Sequence, residues 1–290
     1  MAAVAEAPRA EPGRLGQFRT FARRNPTIVA GASLLGFMAV IAVVAGVIAG
    51  DAQFMNPSDR LRAPSLAHWF GTDNLGRDVY ARTVFGARIS LVVGLAVAVV
   101  SVSLGLAIGL VAGYYRRLDA PVMRLMDGLM AIPAILLAIA MVSLFRAGVG
   151  AVIAAIAVPE IPRVVRLVRS IVLGVREEPY VEAAVTLGTP TAKLLWRHVL
   201  PNTIAPLIVQ GTFTCASAIL VEAILSFLGI GVPPEVPTWG NIMAEGRQVF
   251  SLYPHNIIYP GIMLAATILA VNVLGDGLRD TLDPKMAKRV

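Results

Sequence analysis

The 290-residue chain is 57% apolar and 15% charged, against roughly 45–50% apolar and about 25% charged in soluble globular domains, which argues against a soluble enzyme. Its mean hydropathy of +0.73 is spread along the whole length, so several spans of about 20 apolar residues are needed rather than one anchor. The formal charge of +7 reads as the cation excess of cytoplasmic loops and not as a nucleic-acid footprint, and a single cysteine, Cys215, excludes an intrachain disulfide or a cysteine-based metal cluster.

In chain order, residues 1–26 form a polar, arginine-rich N-terminal segment. The apolar run 27–50 is too long for a signal-peptide core and reads as a retained first span. An exposed segment, 51–88, precedes a core over 89–275 whose runs at 89–113, 126–146, 148–168, 203–228 and 257–275 bring the count to six spans, and residues 276–290 form a tail. Between the third and fourth spans only Arg146, Ala147 and Gly148 to Gly150 interrupt the apolar stretch. The expected fold class is an all-α polytopic membrane protein.

With six spans both termini share a side. That side collects 18 of the 25 lysines and arginines, including the five N-terminal arginines, Arg116, Arg117, Arg124, the cations from Arg163 to Arg197, and the C-terminal four. The opposite side receives Arg60, Arg62, Arg77, Arg82, Arg88, Arg146 and Arg247. The positive-inside rule therefore places both termini in the cytoplasm. On the outer face Gly76-Arg77-Asp78-Val79-Tyr80 is predicted to begin an interfacial helix with snorkelling arginines.

The outer segment 229–256 opens on Gly229-Ile230-Gly231-Val232-Pro233-Pro234, which breaks the preceding helix. Trp239 to Phe250 then reads as a turn and amphipathic helix presenting Trp239, Ile242, Met243 and Phe250 to lipid or protein. A lid on the bundle and a docking surface involving Trp239, Glu235 and Glu245 both fit this pattern.

On the inner side, residues 169–202 predict two short helices. The first, around Glu182-Ala183-Ala184-Val185-Thr186-Leu187, has good helix formers and an early acid, and Gly188 supplies the left-handed residue that ends it. Thr189 as N-cap and Pro190 at the first helical position start the second, which carries Leu194, Leu195 and Trp196 until Leu200-Pro201 turns the chain into the fifth span. Such a helix-glycine-helix knob with an apolar edge suits a partner-binding element.

No G-x-x-x-x-G-K-[ST], H-E-x-x-H or G-x-S-x-G pattern occurs, and His68, His198 and His255 are far apart and assigned to two sides, so neither nucleotide hydrolysis by this chain, nor a shared metal, nor familiar protease or lipase chemistry has support. Glu182-Ala183-Ala184, three residues, Gly188, nine residues, then His198-Val199-Leu200-Pro201 resembles the EAA motif of ABC importer permeases. Histidine at position 198 resembles the peptide and nickel branch of that family. Four further segments fit the branch: Phe70 to Asp78, Asp127 to Pro133, Ser226 to Pro233 with Thr238-Trp239-Gly240-Asn241, and Leu274 to Asp280 with Leu282-Asp283-Pro284. The chain resembles a C-type permease subunit of a dipeptide or oligopeptide importer, and Val158-Pro159-Glu160-Ile161-Pro162 departs from the family pattern by carrying an acid where an aromatic is usual.

The resemblance implies a type I ABC importer permease fold and a bacterial inner-membrane location. It also implies a heterodimer with a homologous permease in membrane lipid, two cytoplasmic ABC ATPases that carry ATP and Mg, and an extracytoplasmic substrate-binding protein. This chain itself would bind no cofactor and no nucleic acid. ATPase coupling would fall to Glu182, Ala183, Ala184, Gly188, His198, Leu200 and Pro201 within a loop at 179–201. Nickel or another small solute remains the alternative cargo.

Glu160 and Glu222 lie in or near apolar spans, where an acid faces the bundle interior or a water-filled path. With Ser226 they are candidates for the translocation path or gate; a structural hydrogen-bonding role at the end of the span is the competing reading. Those acids would also serve a gradient-driven transporter, but that class gives no account of the knob and shows no inverted repeat here. Gly105, Gly109 and Gly113 form a small-residue ridge expected to mediate close helix packing.

Overall fold

The structure, a computed structural model, describes residues 21–145 and 148–282. Arg9, Arg14, Arg19, Arg146, Lys285, Lys288 and Arg289, which enter the charge tally, lie outside the described residues. Helix α1 (Pro26–Ile48) begins on a proline, whose missing N–H costs nothing in a first turn. Helix α2 (Val79–Tyr114) runs for 36 residues. It is followed by α3 (Arg116–Ala131), α4 (Ala134–Leu144) and α5 (Val149–Arg176). The short α6 (Pro179–Thr186) and α7 (Thr191–Leu194) precede a turn of π-helix at Leu195–Val199, which feeds α8 (Leu200–Phe227). A second short helix pair, α9 (Trp239–Gly246) and a 3₁₀ turn at Arg247–Val249, leads to α10 (His255–Leu282).

Among the described residues, four helices are long and apolar enough to cross a bilayer: α1, α2, α7 with α8, and α10. The expected third span, 126–146, is not one helix. Ile132 precedes Pro133 and is pushed into extended backbone, as a pre-proline residue must be. The chain bends there by 91°, so the run divides into the end of amphipathic α3 and the 11-residue α4, which at about 16 Å is too short to cross alone. Taken together, the bent pair makes a fifth candidate span. The expected fourth span, 148–168, is part of a helix that continues to Arg176, so Arg163, Arg166 and Arg169 belong to α5 and not to the following loop. These charges, with Glu160, make α5 more polar than the other long helices.

The centre of the bundle is α2 against α5. A Cβ added at Gly105, Gly109 or Gly113 would fall 2.4–2.7 Å from the Cβ of Val164, Val168 and Val172 respectively. Lipid offers helices no hydrophobic drive to associate, so close approach of small residues has to supply the attraction. The ridge is a packing device, as its spacing indicates. Gly109→Leu is expected to overpack this contact at about 1–3 kcal/mol, and to lower the yield of assembled transporter in a detergent-extracted size-exclusion profile; Gly128→Leu, where the added Cβ meets nothing within 4 Å, serves as control.

Candidate functional site

The knob predicted between α5 and α8 forms, and its geometry follows from its residues. Gly188 has φ +75. Its N–H donates to the Val185 carbonyl at 2.9 Å, and the Thr189 N–H donates to the Ala184 carbonyl at 3.0 Å, which together make the paired Schellman closure of a helix end. The second helix starts one residue later than its sequence indicates: Pro190 occupies the cap and Thr191 the first turn, with no side-chain cap.

Beneath the knob, Val181, Ala184, Leu194 and Val199 are buried in one cluster with Val164, Val168 and Val172 of α5 and Leu207 of α8. The knob is therefore packed continuously onto two long helices. Asn202 donates to the His198 carbonyl at 2.6 Å and to the Tyr180 hydroxyl at 3.2 Å, and the His198 ring lies 6.1 Å from the Tyr180 ring. His198 thus joins the π-turn to α6. Leu200 and Pro201 open α8. Outward from this base project Glu182, Ala183 and Gly188, together with the apolar edge of Leu187 (85% exposed) and Trp196 (75%). Glu182 shares a groove of about 570 Å³ with Tyr114, Arg116 and Arg176, so one exposed acid stands beside two cations.

At the opposite end, sequence reasoning missed the strongest electrostatic feature. Asp73, Arg77 and Arg82 are buried and join Glu245 of α9. Arg82 donates to Asp73 at 2.7 Å and to Glu245 at 2.6 Å; Arg77 donates to Asp73 at 2.7 Å and also reaches Glu245. Burial alone would raise the Asp73 pKa. The backbone N–H of Arg77, the Arg77 and Arg82 guanidinium groups and the backbone N–H of Leu75 outweigh it and hold the carboxyl below its ordinary range. Arg77 and Arg82 do not snorkel, and the helix starts at Val79 rather than Gly76, because the Asp78 side chain accepts the Ala81 N–H and so caps it.

The outer loop is pinned from the same side. Trp239 is fully buried, with its Nε1 donating to the Thr83 carbonyl at 3.0 Å. This corrects the exposure expected for it: the ring sits over Gly86, where an added Cβ would come within 3.2 Å of it. Glu245 is likewise ion-paired within the cluster, and only Glu235 of the three expected docking residues is exposed and outside these ion pairs.

Glu222 is completely buried; it accepts from Ser226 at 2.7 Å and Ser90 at 3.2 Å, while Ser226 Oγ also accepts the Val232 N–H at 3.2 Å. In this chain Glu222 and Ser226 form a hydroxyl-lined pin between α8, α2 and the 229–238 loop. Glu160 is also buried, 3.4 Å from Arg163 and 3.5 Å from Ser217 of α8. Asp127 pairs with Arg166 at 2.5 Å and Asp119 with Arg169, tying α3 to α5. Among the described residues no group of three or more His, Cys, Asp or Glu is placed to hold a metal.

Residues 105–288 match the family of binding-protein-dependent transport system inner membrane components. The chain belongs to this family. Over 268 residues, 92% of each chain, the permease is 54% identical to the probable peptide ABC transporter permease protein y4tQ of Sinorhizobium fredii. It is 40% identical over 266 residues to the dipeptide transport system permease protein DppC of Alkalihalophilus pseudofirmus, covering 91% of this chain and 88% of that one. The solved inward-facing MetNI methionine ABC transporter shares its fold, with a TM-score of 0.50 at 20% identity over 67% of this chain and 94% of that chain. The permease is a membrane-spanning subunit of an ABC importer, with the architecture of type I permeases.

Proposed function

We propose that the permease forms one half of a heterodimeric pathway that carries di- or oligopeptides into the cell, driven by two ATPase subunits that carry ATP and Mg and dock on the knob, and supplied by an extracytoplasmic binding protein. The observation that carries the peptide assignment is the 54% identity along 92% of both chains to a relative described as a peptide permease. The coupling assignment is supported by the knob, whose buried base is common to α5 and α8 while its apolar edge and Glu182 project away. An ATPase that holds the knob differently in its open and closed states transmits that difference to both helices, which is the requirement for coupling.

The test is reconstitution of the complete importer with its binding protein. ATP-dependent uptake of labelled dipeptide or oligopeptide is expected, and uptake of nickel or another small solute with peptides excluded would transfer the permease to that cargo. Orientation has its own test. In a Cys215→Ala background, Ser58→Cys and Ser251→Cys, both at exposed positions, should react with a membrane-impermeant maleimide from outside, and Thr189→Cys should not. The reverse pattern would invert the topology and place the knob outside.

A further inference from the structure

Arg88 is a cation without an anion. Among the described residues it makes no ion pair. Its Nε and Nη2 donate to the Ala42 and Val43 carbonyls of α1 at 3.1 and 3.2 Å, leaving Nη1 without a hydrogen-bond partner among the described residues. The side chain is exposed on the flank of the bundle, about 14 Å along α2 from Val79. That is below the ion-pair cluster and beside carbonyls five and six residues before the end of apolar α1, about 8 Å inside that helix. An ionised side chain at that depth pairs with another charge or with backbone carbonyls, and here the α1 carbonyls occupy Nε and Nη2 while Nη1 still faces outward for an anion.

Below Arg88 runs an apolar groove. Ala39, Leu91 and Leu95 line both a hollow of about 440 Å³ that includes Arg88 and a hollow of about 730 Å³ that continues between α1, α2, α8 and α10 as far as Ser103. From Arg88 to Ser103, α2 rises about 22 Å, more than one leaflet of the ~30 Å hydrocarbon core. Its rim is exposed and apolar, with Val43, Leu95 and Val99 more than half accessible.

We propose that this groove is a phospholipid site, in which the phosphate of a phospholipid pairs with the free Nη1 of Arg88 and one acyl chain lies along Leu91, Leu95 and Val99. Charge selects this occupant over a helix of the second permease subunit, since a helix would have to bring a carboxylate to the same depth, whereas the phosphate is at that depth in every phospholipid of the leaflet. The guanidinium is already oriented by the two α1 carbonyls, so little side-chain freedom is lost on binding.

The complete importer in nanodiscs of phosphatidylethanolamine and phosphatidylglycerol, doped with phosphatidylglycerol carrying a diazirine at the end of one acyl chain, provides the test. After illumination, peptide mapping should find crosslinks at 95–103 of α2 and 204–215 of α8 several-fold above those at Ile262 and Leu269 of α10, which are exposed elsewhere. Arg88→Gln should remove that excess. Gly211→Leu should also remove it without touching Arg88, because an added Cβ there meets only Val102, at 3.7 Å, and the longer side chain fills the groove. Labelling equal to that of α10, or an excess that survives both substitutions, would overturn the site. So would efficient bismaleimide crosslinking of Cys215, which lines the groove, to a cysteine placed in the second permease subunit, since a partner helix would then occupy it.

Discussion

Gly188→Val is expected to uncouple the importer while leaving the subunit inserted and assembled. With φ at +75 the position lies in the left-handed region, where a β-branched residue costs about 1–3 kcal/mol. Among the described residues nothing lies within 4 Å of the added Cβ, so the cost is backbone strain, which the knob relieves by opening the Schellman closure and rotating α6 against α7. A strain of about 1–3 kcal/mol corresponds to a 5- to 150-fold shift between two knob conformations, enough to remove the docked geometry without unfolding the helices beneath it. Gly188→Asn, which tolerates this conformation, should retain most activity and separates strain from simple bulk. Glu182→Lys should act in the same direction by placing a third cation in the groove that already holds Arg116 and Arg176. Binding-protein-stimulated ATPase activity and transport in proteoliposomes check both variants. If both behave as wild type, the knob does not couple the permease to its ATPases.

The knob was legible because its signals are local: helix formers, one glycine, then Thr189-Pro190, all within a dozen residues. What remained hidden depended on partners far along the chain or on geometry that composition does not encode. The 126–146 run is apolar on both sides of Pro133, so hydropathy sees one span where the backbone makes a 91° bend. Trp239 stands among turn residues and charges and reads as exposed; its burial depends on Gly86 and Thr83, more than 150 residues earlier. Arg77 and Arg82 read as snorkelling because Glu245, the acid that completes their cluster, is separated from Arg82 by 163 residues. Glu222 was legible as a costly buried acid, but its role is set by Ser90, 132 residues away.

That long-range cluster leads to the largest expected loss of stability. Arg82 is 1% exposed and donates to both Asp73 and Glu245, so Arg82→Ala leaves two carboxylates sharing Arg77 alone, and removing one member of a buried ionic group costs about 3–5 kcal/mol. The Asp73 turn, the start of α2 and α9 would separate, and with them the buried seat of Trp239. A lower thermal midpoint of the purified complex and faster proteolysis between Gly229 and Phe250 are the expected readouts. Arg82→Lys should recover only part of the loss, since an ammonium lacks the planar fork that bridges two carboxylates. The same cluster sets an acid response. Asp73 titrates below its ordinary value in the folded protein, so its stabilising contribution is present above the unfolded carboxylate pKa and is lost as pH falls through the folded one. Removing Arg82 takes away one of the cations that hold that pKa down, so the variant should loosen at a higher pH than the wild type. An unchanged thermal midpoint together with an unchanged acid midpoint would show that Asp73, Arg77 and Glu245 hold the outer face without Arg82.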